Sequence, residues 1–585
     1  MPMPLPRLRL PASPPRRRPP ELAYAASERP PAGPLLVLAA QHAATTMAFI
    51  AYVLVAAHMA GLERTATQSV VAVTLLGMAL CTALQAWGGR WGSGTLLVHM
   101  PCPFMIPVAA ALMAAHGPGA LAGATLVFAV SAIVIAPLVR HLRPLFPPPV
   151  VGAVICMGGI ALVASSVRQA LGVGEGNWHV DGASAWVSGV TLGGIVVLTV
   201  WGGRLRLMAL LLAIAAGVGV AALAGRLDGA QALHGVPLLA LPTVNKPVFG
   251  LDAGMIAAVV LVAILTQLDT LGSVTMMDKM DDADWKRADM RAISGGIRAN
   301  GLGDLCMGLL GSFPTATCSA NIALAYATRS TARVIGLVTA VLLAVVAFLP
   351  QLTMALTLVP APVLGAVGLY AAGFLMVSGM ELAMSRAIDS RTIFAVGLSL
   401  CAGVAVLQMP QLAQYLPPSL HFLLGDGFVV AGLAIIVLNL LFRIGTSQRA
   451  TLTLRPDSPT LHTDITGFIE SQGAIWGARR NVVQRAAQAA LEGAEAIAQA
   501  GAGRRLLTLR GHFDEFNLDL ELHHSGAPLA LTGAAPVNPA LLEGDEHALD
   551  AALAQMSGLL LRHLADRVGV ESSGERAVLR LHFEH

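Results

Sequence analysis

Two octapeptides, PPPVVGAV at residues 147–154 and PAPVLGAV at 360–367, indicate an internal duplication from which the predicted fold of this chain follows. They lie 213 positions apart, and the same offset carries Pro101, in LLVHMPCPFMIP, onto Pro314, in LLGSFPTATCSA. In both places a stretch rich in proline and small residues interrupts an apolar segment near its middle. Two related halves, each with one interrupted membrane segment, are typical of a secondary transporter whose solute site lies between the interruptions.

Composition independently indicates a membrane protein. The chain is 55% hydrophobic and only 12% charged, with a mean hydropathy of +0.69. Segments of roughly 20 apolar residues can cross a bilayer, and fourteen occur between about residues 35 and 444. We therefore predict an all-α polytopic protein with a transporter domain at 35–447. Its first repeat covers about 35–225 and its second about 250–445, and segments three and ten are interrupted.

Residues 1–34 are dominated by proline and arginine and lack the apolar core of a secretory signal, which predicts a disordered cytoplasmic tail. The cysteines lie singly in apolar segments without a CxxC pair, as expected of small packing residues and not of disulfides or a zinc site. We expect no metal and no cofactor. The six cysteines are Cys81, Cys102, Cys156, Cys306, Cys318 and Cys401.

Lys and Arg are distributed unevenly over the connections between segments. Even-numbered connections carry fourteen of them, and odd-numbered connections carry only Arg64, Arg168, Arg226 and Lys246. Because basic connections remain in the cytoplasm, we expect the even-numbered connections and both termini there, in the inner (plasma) membrane of a bacterium. Seven segments per half is an odd number, so the second half is predicted to be inverted relative to the first.

Four stretches resemble the nucleobase–ascorbate transporters, which include the bacterial uracil and xanthine permeases. They are Gln41-His42, LFPPPVVGAVICMGGIAL at 145–162, GSFPTATCSANIALAYATR at 311–329 and PAPVLGAVGLYAAGFLMVSG at 360–379. The similarity covers about residues 35–445. It implies a seven-plus-seven inverted repeat with core and gate domains, often a homodimer, and a short strand with a half-helix in segments three and ten.

The interrupted segments offer polar groups at an apolar depth. Half-helix N-termini present free N–H groups and a positive dipole end, which suit a planar nucleobase. The second interruption adds the side chains of Thr315, Thr317, Ser319 and Asn321; the alternative is that these small residues only ease helix packing. The first interruption supplies Cys102, Phe104 and His99, and Phe104 is either a stacking surface for a planar ring or a core aromatic.

Asp269 lies midway along the eighth segment, where a carboxylate costs on the order of 3 kcal/mol or more. This position predicts a proton-coupling group. The resemblance implies a substrate-binding carboxylate three residues before a glycine, here Gly272, and relatives often have glutamate there. The alternative is that Asp269 caps a helix break or reaches outward to water.

Asn300 and Asp304 are four residues apart in the ninth segment and share one helical face. Related permeases commonly have an acid at the position of Asn300, which predicts that the carboxylate is displaced by one turn to Asp304. The alternative is that Asp304 lies near the cytoplasmic end and pairs with Arg298.

The resemblance implies a motif in the tenth segment that begins with an acid or Gln followed by Asn and ends with Thr, often before a basic residue. This chain matches the motif only in part. Asn321, Thr328 and Arg329 match, but Ala320 stands where the side chain that binds the base is implied. Ser273 likewise stands where relatives carry His or Asp. Recognition is therefore predicted to rest on Asp269, Asn321 and backbone N–H groups near Ala320, and the solute need be neither uracil nor xanthine.

Residues 450–585 have ordinary charge and no membrane-length apolar run, which predicts a soluble cytoplasmic α/β domain. We expect helices at about 476–500 and 546–567, and strands at 504–513, 517–526 and 577–585. This order resembles the ATP-binding domain of histidine kinases and anti-sigma kinases, although the family's acid and Asn fall on Ala489 and Gly493. A regulatory domain of the type appended to sulfate transporters is the alternative.

Together these features predict a permease that imports a nucleobase or a similar small planar solute by proton symport, with sodium as a possible substitute for the proton. We expect no enzymatic activity and no nucleic-acid partner. An anion carrier of the sulfate or bicarbonate type is one alternative, but no Lys or Arg occurs in 92–115 or 312–328. A membrane sensor that signals through the C-terminal domain is the other.

Overall fold

The computed structural model describes the chain except residues 1–10, 12–15, 143–146, 174–178, 202, 228–229, 252, 286–288, 385–389, 410, 412–414, 416–426, 444–447, 455–459, 479, 500–503, 515–516, 530–555, 574–575 and 585. The described chain divides into two compact units, Met1–Asn439 and Leu440–His585. The first unit is almost entirely helical, and the second combines a sheet with helices.

The first half of the membrane unit contains seven segments in chain order. The first segment combines α1 and α2, and the third consists of strand β1, a short 3-10 turn and α4. The elements are α1 (Ala32–Met47), α2 (Ala51–Met59), α3 (Arg64–Trp87), β1 (His99–Pro101), α4 (Ile106–His116), α5 (Ala120–Leu142), α6 (Pro148–Leu171), α7 (Gly182–Trp201) and α8 (Ala209–Leu223).

The second half repeats this order, with a strand and a half-helix again as its third segment. Its elements are α9 (Ala253–Asp281), α10 (Met290–Gly308), β2 (Thr315–Thr317), α11 (Ser319–Thr328), α12 (Arg333–Ala347), α13 (Pro350–Thr357), α14 (Ala361–Ala383), α15 (Ser390–Gln408) and α16 (Gly427–Arg443). Among the described residues, eight helical stretches are long and apolar enough to cross a membrane, when α1 and α2 are taken together as one. The seven-plus-seven architecture predicted from the sequence is confirmed.

The two interruptions meet in a two-stranded antiparallel ladder. β1 pairs with β2 through His99↔Thr317, Met100↔Ala316 and Pro101↔Thr315. The N–H of Cys102 donates to Pro314 O and the N–H of Cys318 donates to Val98 O, both at 2.9 Å. Backbone groups in an apolar layer must be paired, and each interruption satisfies the other. Because equivalent strands of the two halves run in opposite directions, the halves are inverted relative to each other.

The octapeptides begin two equivalent helices, α6 and α14. Pro147 and Pro360 are the N-cap residues, and each helix has a further proline in its first turn, where a missing N–H costs nothing. Small residues let the two helices approach closely. A Cβ added at Gly152 would overlap Gly379 O, and one at Gly365 would overlap the backbone of Ala170.

The chain before α1 is held against the first unit over residues 16–31, so the disorder predicted for 1–34 is wrong for this part. Arg16 lies 2.7 Å from Asp278 and 3.0 Å from Asp281, with only 9%, 8% and 6% of the three side chains exposed. Asp281 also accepts the Ala26 N–H at 2.9 Å and the Thr331 hydroxyl at 2.6 Å. Composition missed this segment because its buried carboxylate partners lie more than 250 residues away.

The second unit contains a five-stranded antiparallel sheet in the order β3-β4-β5-β7-β6. Alternate side chains such as Leu518, Leu520 and Leu522 pack beneath the helices. Two strands, β3 and β6, and helix α17 were not predicted, and the predicted helix at 546–567 is described only from residue 556. The elements are β3 (Gln448–Thr453), α17 (Leu461–Ile475), α18 (Arg480–Gln499), β4 (Leu506–Phe513), β5 (Asn517–Ser525), α19 (556–564), β6 (Arg567–Ser573) and β7 (Arg576–Glu584).

Candidate functional site

Asp269 lies beside strand β2, where the two interruptions meet. The Thr317 hydroxyl donates to Asp269 Oδ2 at 3.3 Å, and Ser273 Oγ lies 2.8 Å from Thr317 Oγ1. Asp269 and Ser273 are one turn apart on α9, so both side chains reach the same strand. Within the described chain no Lys or Arg forms an ion pair with Asp269. The site therefore has one carboxyl and two hydroxyls without a fixed cation.

Asp269 faces open space. Its side chain is exposed, as is Ser319 at the start of α11, and a Cβ added at Gly272 would meet nothing within 4 Å. Asp269 lies near the middle of α9, where a carboxylate directed at lipid would be strongly unfavourable. This face of α9 therefore borders a cavity that the described protein atoms do not fill.

The N-terminus of half-helix α11 adjoins this cavity. Its N-cap, Cys318, makes no side-chain capping bond, and the first turn holds no acidic residue. The N–H groups of Ser319 and Ala320 precede the first intrahelical bonds, which begin with Asn321 N donating to Cys318 O at 3.1 Å. These donors and the positive helix end suit an acceptor-bearing solute. The Ala320 methyl group offers no hydrogen bond.

Asn321 is engaged with the first membrane segment. Its Oδ1 lies 2.7 Å from His42 Nδ1, and both side chains are buried. The remaining polar atoms, Asn321 Nδ2 and His42 Nε2, have no hydrogen-bond partner in the described structure. Gln41, the other half of that sequence marker, is only partly buried. The His42–Asn321 contact therefore connects α1 to α11 directly behind the cavity.

The first interruption supplies less exposed groups. Cys102 Sγ lies 3.2 Å from Thr266 Oγ1 on α9, and Cys102 is fully buried. Phe104 is 6% exposed, so its ring packs in the interior of the fold and presents no free face to the cavity. His99 Nδ1 lies 3.1 Å from Thr315 Oγ1 and holds the two strands together.

Asn300 is the centre of a buried amide network that was not predicted. Its Oδ1 accepts Gln85 Nε2 at 2.8 Å, and its Nδ2 donates to Gln267 Oε1 at 3.0 Å and to Thr270 Oγ1 at 2.8 Å. The network joins α3, α9 and α10. The network could have been suspected from the sequence, because Gln85 and Gln267 are amide side chains within the apolar segments 64–87 and 253–281.

Asp304 lies one turn further along α10 and is fully buried. Its carboxyl accepts the Thr315 hydroxyl at 3.0 Å and the Thr315 N–H at 3.2 Å. The alternative that Asp304 pairs with Arg298 is wrong, because Arg298 instead reaches Arg90 O at 3.4 Å. Asp304 thus caps the start of β2 and is a second buried carboxyl near the ladder.

Thr328 and Arg329 end α11 and lie outside the cavity. The Thr328 hydroxyl donates to Leu324 O at 2.8 Å, within its own helix. Arg329 is the C-cap, with φ of 52°, and its carbonyl accepts the Ala23 N–H at 2.7 Å. These residues set the length of the half-helix.

In the second unit, the positions where the ATPase motif implies an acid and Asn are occupied by small residues that pack against apolar side chains. Ala489 is fully buried on α18, and a Cβ added at Gly493 would lie 2.9 Å from Leu579 Cδ2 and 3.4 Å from Leu522 Cδ2. This helix face therefore rests on the sheet and has no space for polar nucleotide ligands. In the residues that the structure describes, no group of His, Cys, Asp and Glu side chains could hold a metal ion.

The membrane unit of this chain is similar in sequence to known permeases. A family model described as "Permease family" matches residues 33–412. Xanthine permease XanP of Escherichia coli K12 is 28% identical over 439 residues, which are 72% of this chain and 95% of that protein. Uric acid transporter UacT of the same organism is 27% identical over 423 residues, 70% of this chain and 86% of the relative. Uric acid permease PucK of Bacillus subtilis is 25% identical over 380 residues, 64% and 87% of the two chains.

Two solved transporter structures are similar to this chain at low sequence identity. The transmembrane domain of the cyanobacterial bicarbonate transporter BicA gives a TM-score of 0.46 at 16% identity, covering 69% of this chain and 97% of that domain. The murine anion transporter Slc26a9, in its inward-facing state, gives a TM-score of 0.49 at 12% identity, covering 74% of this chain and 72% of that chain.

Proposed function

This chain belongs to the nucleobase–ascorbate transporter family, and we propose that it imports a nucleobase, such as a purine or uracil, or a similar small planar solute by proton symport. It is a multi-pass membrane permease and not an enzyme. The observation that carries the proposal is Asp269, a carboxyl open to a cavity in mid-helix and hydrogen-bonded to the strand of the second interruption.

We propose that Asp269 accepts a ring N–H of the solute and that the N–H groups of Ser319 and Ala320 donate to a ring carbonyl. Thr317 and Ser273 orient the carboxyl from one side. Asn321, Cys102 and Phe104 form the wall behind. Because Ala320 replaces a hydrogen-bonding side chain, the solute edge at that point is met by backbone and water, and a buried polar edge without a partner would cost about 1–3 kcal/mol.

Proton coupling follows from the same carboxyl. A proton on Asp269, or shared with the solute, removes the charge that the site would otherwise carry through the low-dielectric layer. Asp304, with Asn300 beside it, is the second group that could hold a proton. A potential of 100 mV contributes roughly 2.3 kcal/mol per charge, which corresponds to about fifty-fold accumulation. Sodium remains an alternative coupling ion for the same oxygen ligands.

The test uses Asp269→Asn, with Asp269→Glu as the conservative variant and Asp284→Asn, at an exposed position, as the control. A thermal-shift screen against nucleobases, urate, ascorbate and dicarboxylates first identifies the solute. Asp269→Asn should then abolish accumulation against a gradient, while Asp269→Glu retains part of it and Asp284→Asn is normal. Near-normal accumulation by well-expressed Asp269→Asn would remove this residue from the mechanism.

Two alternatives are disfavoured by particular observations. An anion carrier needs cationic groups at the interruptions, and the described site has hydroxyls, amides and a carboxyl. A nucleotide-dependent sensor needs ligands on α18, where Ala489 and Gly493 are packed against apolar side chains. We therefore propose that residues 450–585 form a cytoplasmic domain of ATPase-like fold that does not bind nucleotide, so the full chain should show no ATP binding in equilibrium dialysis.

The placement of Lys and Arg further supports an orientation with both termini in the cytoplasm of a bacterium. We propose this orientation together with a homodimeric assembly. Accessibility labelling of single cysteines introduced at position 64 and at position 90 tests the orientation, because only the first should react with an impermeant reagent in intact cells.

A further inference from the structure

A cavity of about 420 Å³ lies where α10 begins and α5 approaches its end, away from the solute site. It is at the same end of the unit as the N-terminal segment, since a Cβ added at Gly89 in its lining would lie 3.3 Å from Pro11. Its lining consists of Gly89, Arg90, Ala136, Pro137, Met290, Arg291, Ser294 and Arg298.

Among the described residues, three arginines and no carboxylate line this cavity. Arg291 and Arg298 are seven residues apart on α10 and therefore lie on one face, and Arg90 comes from the connection before β1. In the described chain none of the three takes part in an ion pair; Arg298 reaches Arg90 O at 3.4 Å, and Arg90 lies 5.3 Å from the Trp91 ring centroid. The neighbouring acid, Asp289, accepts the backbone N–H of Arg291 at 2.8 Å as the N-cap of α10.

The walls are fixed by a bond between the two helices. Ser294 Oγ donates to Ala136 O at 2.9 Å, next to the internal proline of α5, Pro137. That hydroxyl is therefore committed to the scaffold, and the guanidinium groups remain as the donors available to a ligand.

Exposed apolar side chains continue from the rim of the cavity. Ile133, Val134 and Leu138 of α5 are 37%, 55% and 44% exposed, and Trp87 and Trp91 are 41% and 48% exposed. Tryptophan is enriched at the level of lipid headgroups. Cationic, indole and apolar side chains are therefore exposed next to one another, as expected of a site at the boundary between the apolar layer and water.

We propose that this cavity binds the headgroup of an anionic phospholipid, with its phosphodiester held by Arg90, Arg291 and Arg298 and its acyl chains along Ile133, Val134 and Leu138. Basic pockets between membrane helices on the cytoplasmic side bind such headgroups, and guanidinium groups match phosphate geometry. The assignment to the cytoplasmic leaflet rests on the proposed orientation and is independent of the solute. The bound lipid stabilises the start of α10, the helix that carries Asn300 and Asp304.

The experiment measures lipid binding to the full chain by native mass spectrometry in detergent, with phosphatidylglycerol, phosphatidylcholine, glycerol phosphate and inorganic phosphate as separate additions. Wild type should bind phosphatidylglycerol selectively. Each basic residue near a membrane surface contributes roughly 1 kcal/mol, or about fivefold. Each single Arg→Gln change should therefore weaken binding about fivefold, and the triple variant about a hundredfold, while Arg17→Gln, at an exposed position of the same end, has no effect.

Folding is checked by gel filtration, and a triple Arg→Lys variant that keeps the charge should retain most of the binding. Unchanged phosphatidylglycerol binding by the folded triple Gln variant would overturn the proposal. Equal binding of phosphatidylcholine would also overturn it. Displacement of the lipid by glycerol phosphate or phosphate at matched concentration would show a site for soluble anions and would refute the lipid assignment. None of these outcomes depends on solute uptake.

Discussion

Removing the Arg16 side chain should destabilise the membrane unit far more than removing its neighbour Arg17. Arg16 bridges Asp278 and Asp281 at 2.7 and 3.0 Å, with less than a tenth of each side chain exposed. Arg16→Gln removes the ion-pair partner of two buried carboxylates, and breaking a buried pair in this way costs about 3–5 kcal/mol. Asp281 retains its bonds from Ala26 and Thr331, which places the expected loss near the lower end.

Arg17 supplies the matched control. It lies 3.3 Å from Asp284, but 73% of the Arg17 side chain and 59% of the Asp284 side chain are exposed. Exposed pairs of this kind contribute at most about 1 kcal/mol. Thermal unfolding of the purified protein, followed by fluorescence in one detergent, should give a clearly lower midpoint for Arg16→Gln and a near-normal midpoint for Arg17→Gln.

A third variant separates charge from contact. When Arg16→Gln is combined with Asp278→Asn, no buried carboxylate is left without a cation, because Asp281 still interacts electrostatically with Arg333, so part of the lost stability should return. The reasoning is refuted if Arg16→Gln and Arg17→Gln have equal midpoints, because residues 16–31 would then not be held by this cluster.

Two further predictions concern helix contacts in the same unit. Asn300→Ala removes three hydrogen bonds; Gln85 keeps its bond to Gly296 O and Thr270 its bond to Thr266 O, so the Gln267 side-chain carbonyl is left unpaired and the unfolding midpoint should fall by the equivalent of about 1–3 kcal/mol; a midpoint equal to wild type would contradict the network. Gly303→Ala places a methyl group against Cys81 Sγ and should cost about 1–3 kcal/mol, whereas Gly397→Ala, whose Cβ meets nothing within 4 Å, should be tolerated. Adding Cys81→Ala should restore the Gly303→Ala variant, and failure to do so would show that another contact causes the loss.

The broken segments illustrate what a sequence pattern can and cannot predict. Pro101 and Pro314 predicted interruptions because proline cannot continue a hydrogen-bonded helix. The pairing of His99 with Thr317 was not predictable in register, since the strands are three residues long and lie more than 200 positions apart. Short strands of this kind are specified by the surrounding helices.

The residues of the candidate site were likewise predictable only in part. Asp269 was identifiable because an acid in an apolar segment is costly and therefore conspicuous. Its partner Thr317, and the contact of His42 with Asn321, depend on how α1, α9 and β2 are arranged around one another. The fate of Asp304 was ambiguous for the same reason, because helical spacing gives its face but not the strand that the face meets.

The C-terminal unit was predicted incompletely. Strands β4, β5 and β7 alternate apolar and polar residues clearly, but β3 (QRATLT) is mostly polar and β6 (RVGVESS) contains only two apolar side chains. Both are edge strands, where pairing on one side requires little burial.

The duplication, the fourteen segments and the carboxyl in the eighth could be predicted from the amino-acid pattern, because apolar length, proline and buried charge are properties of single segments. Only the folded arrangement gives the β1–β2 register, the Asn300 network, the Arg16 cluster and the three-arginine cavity. Each of these joins residues distant in the chain, and their energies depend on distance and burial, which local sequence does not specify.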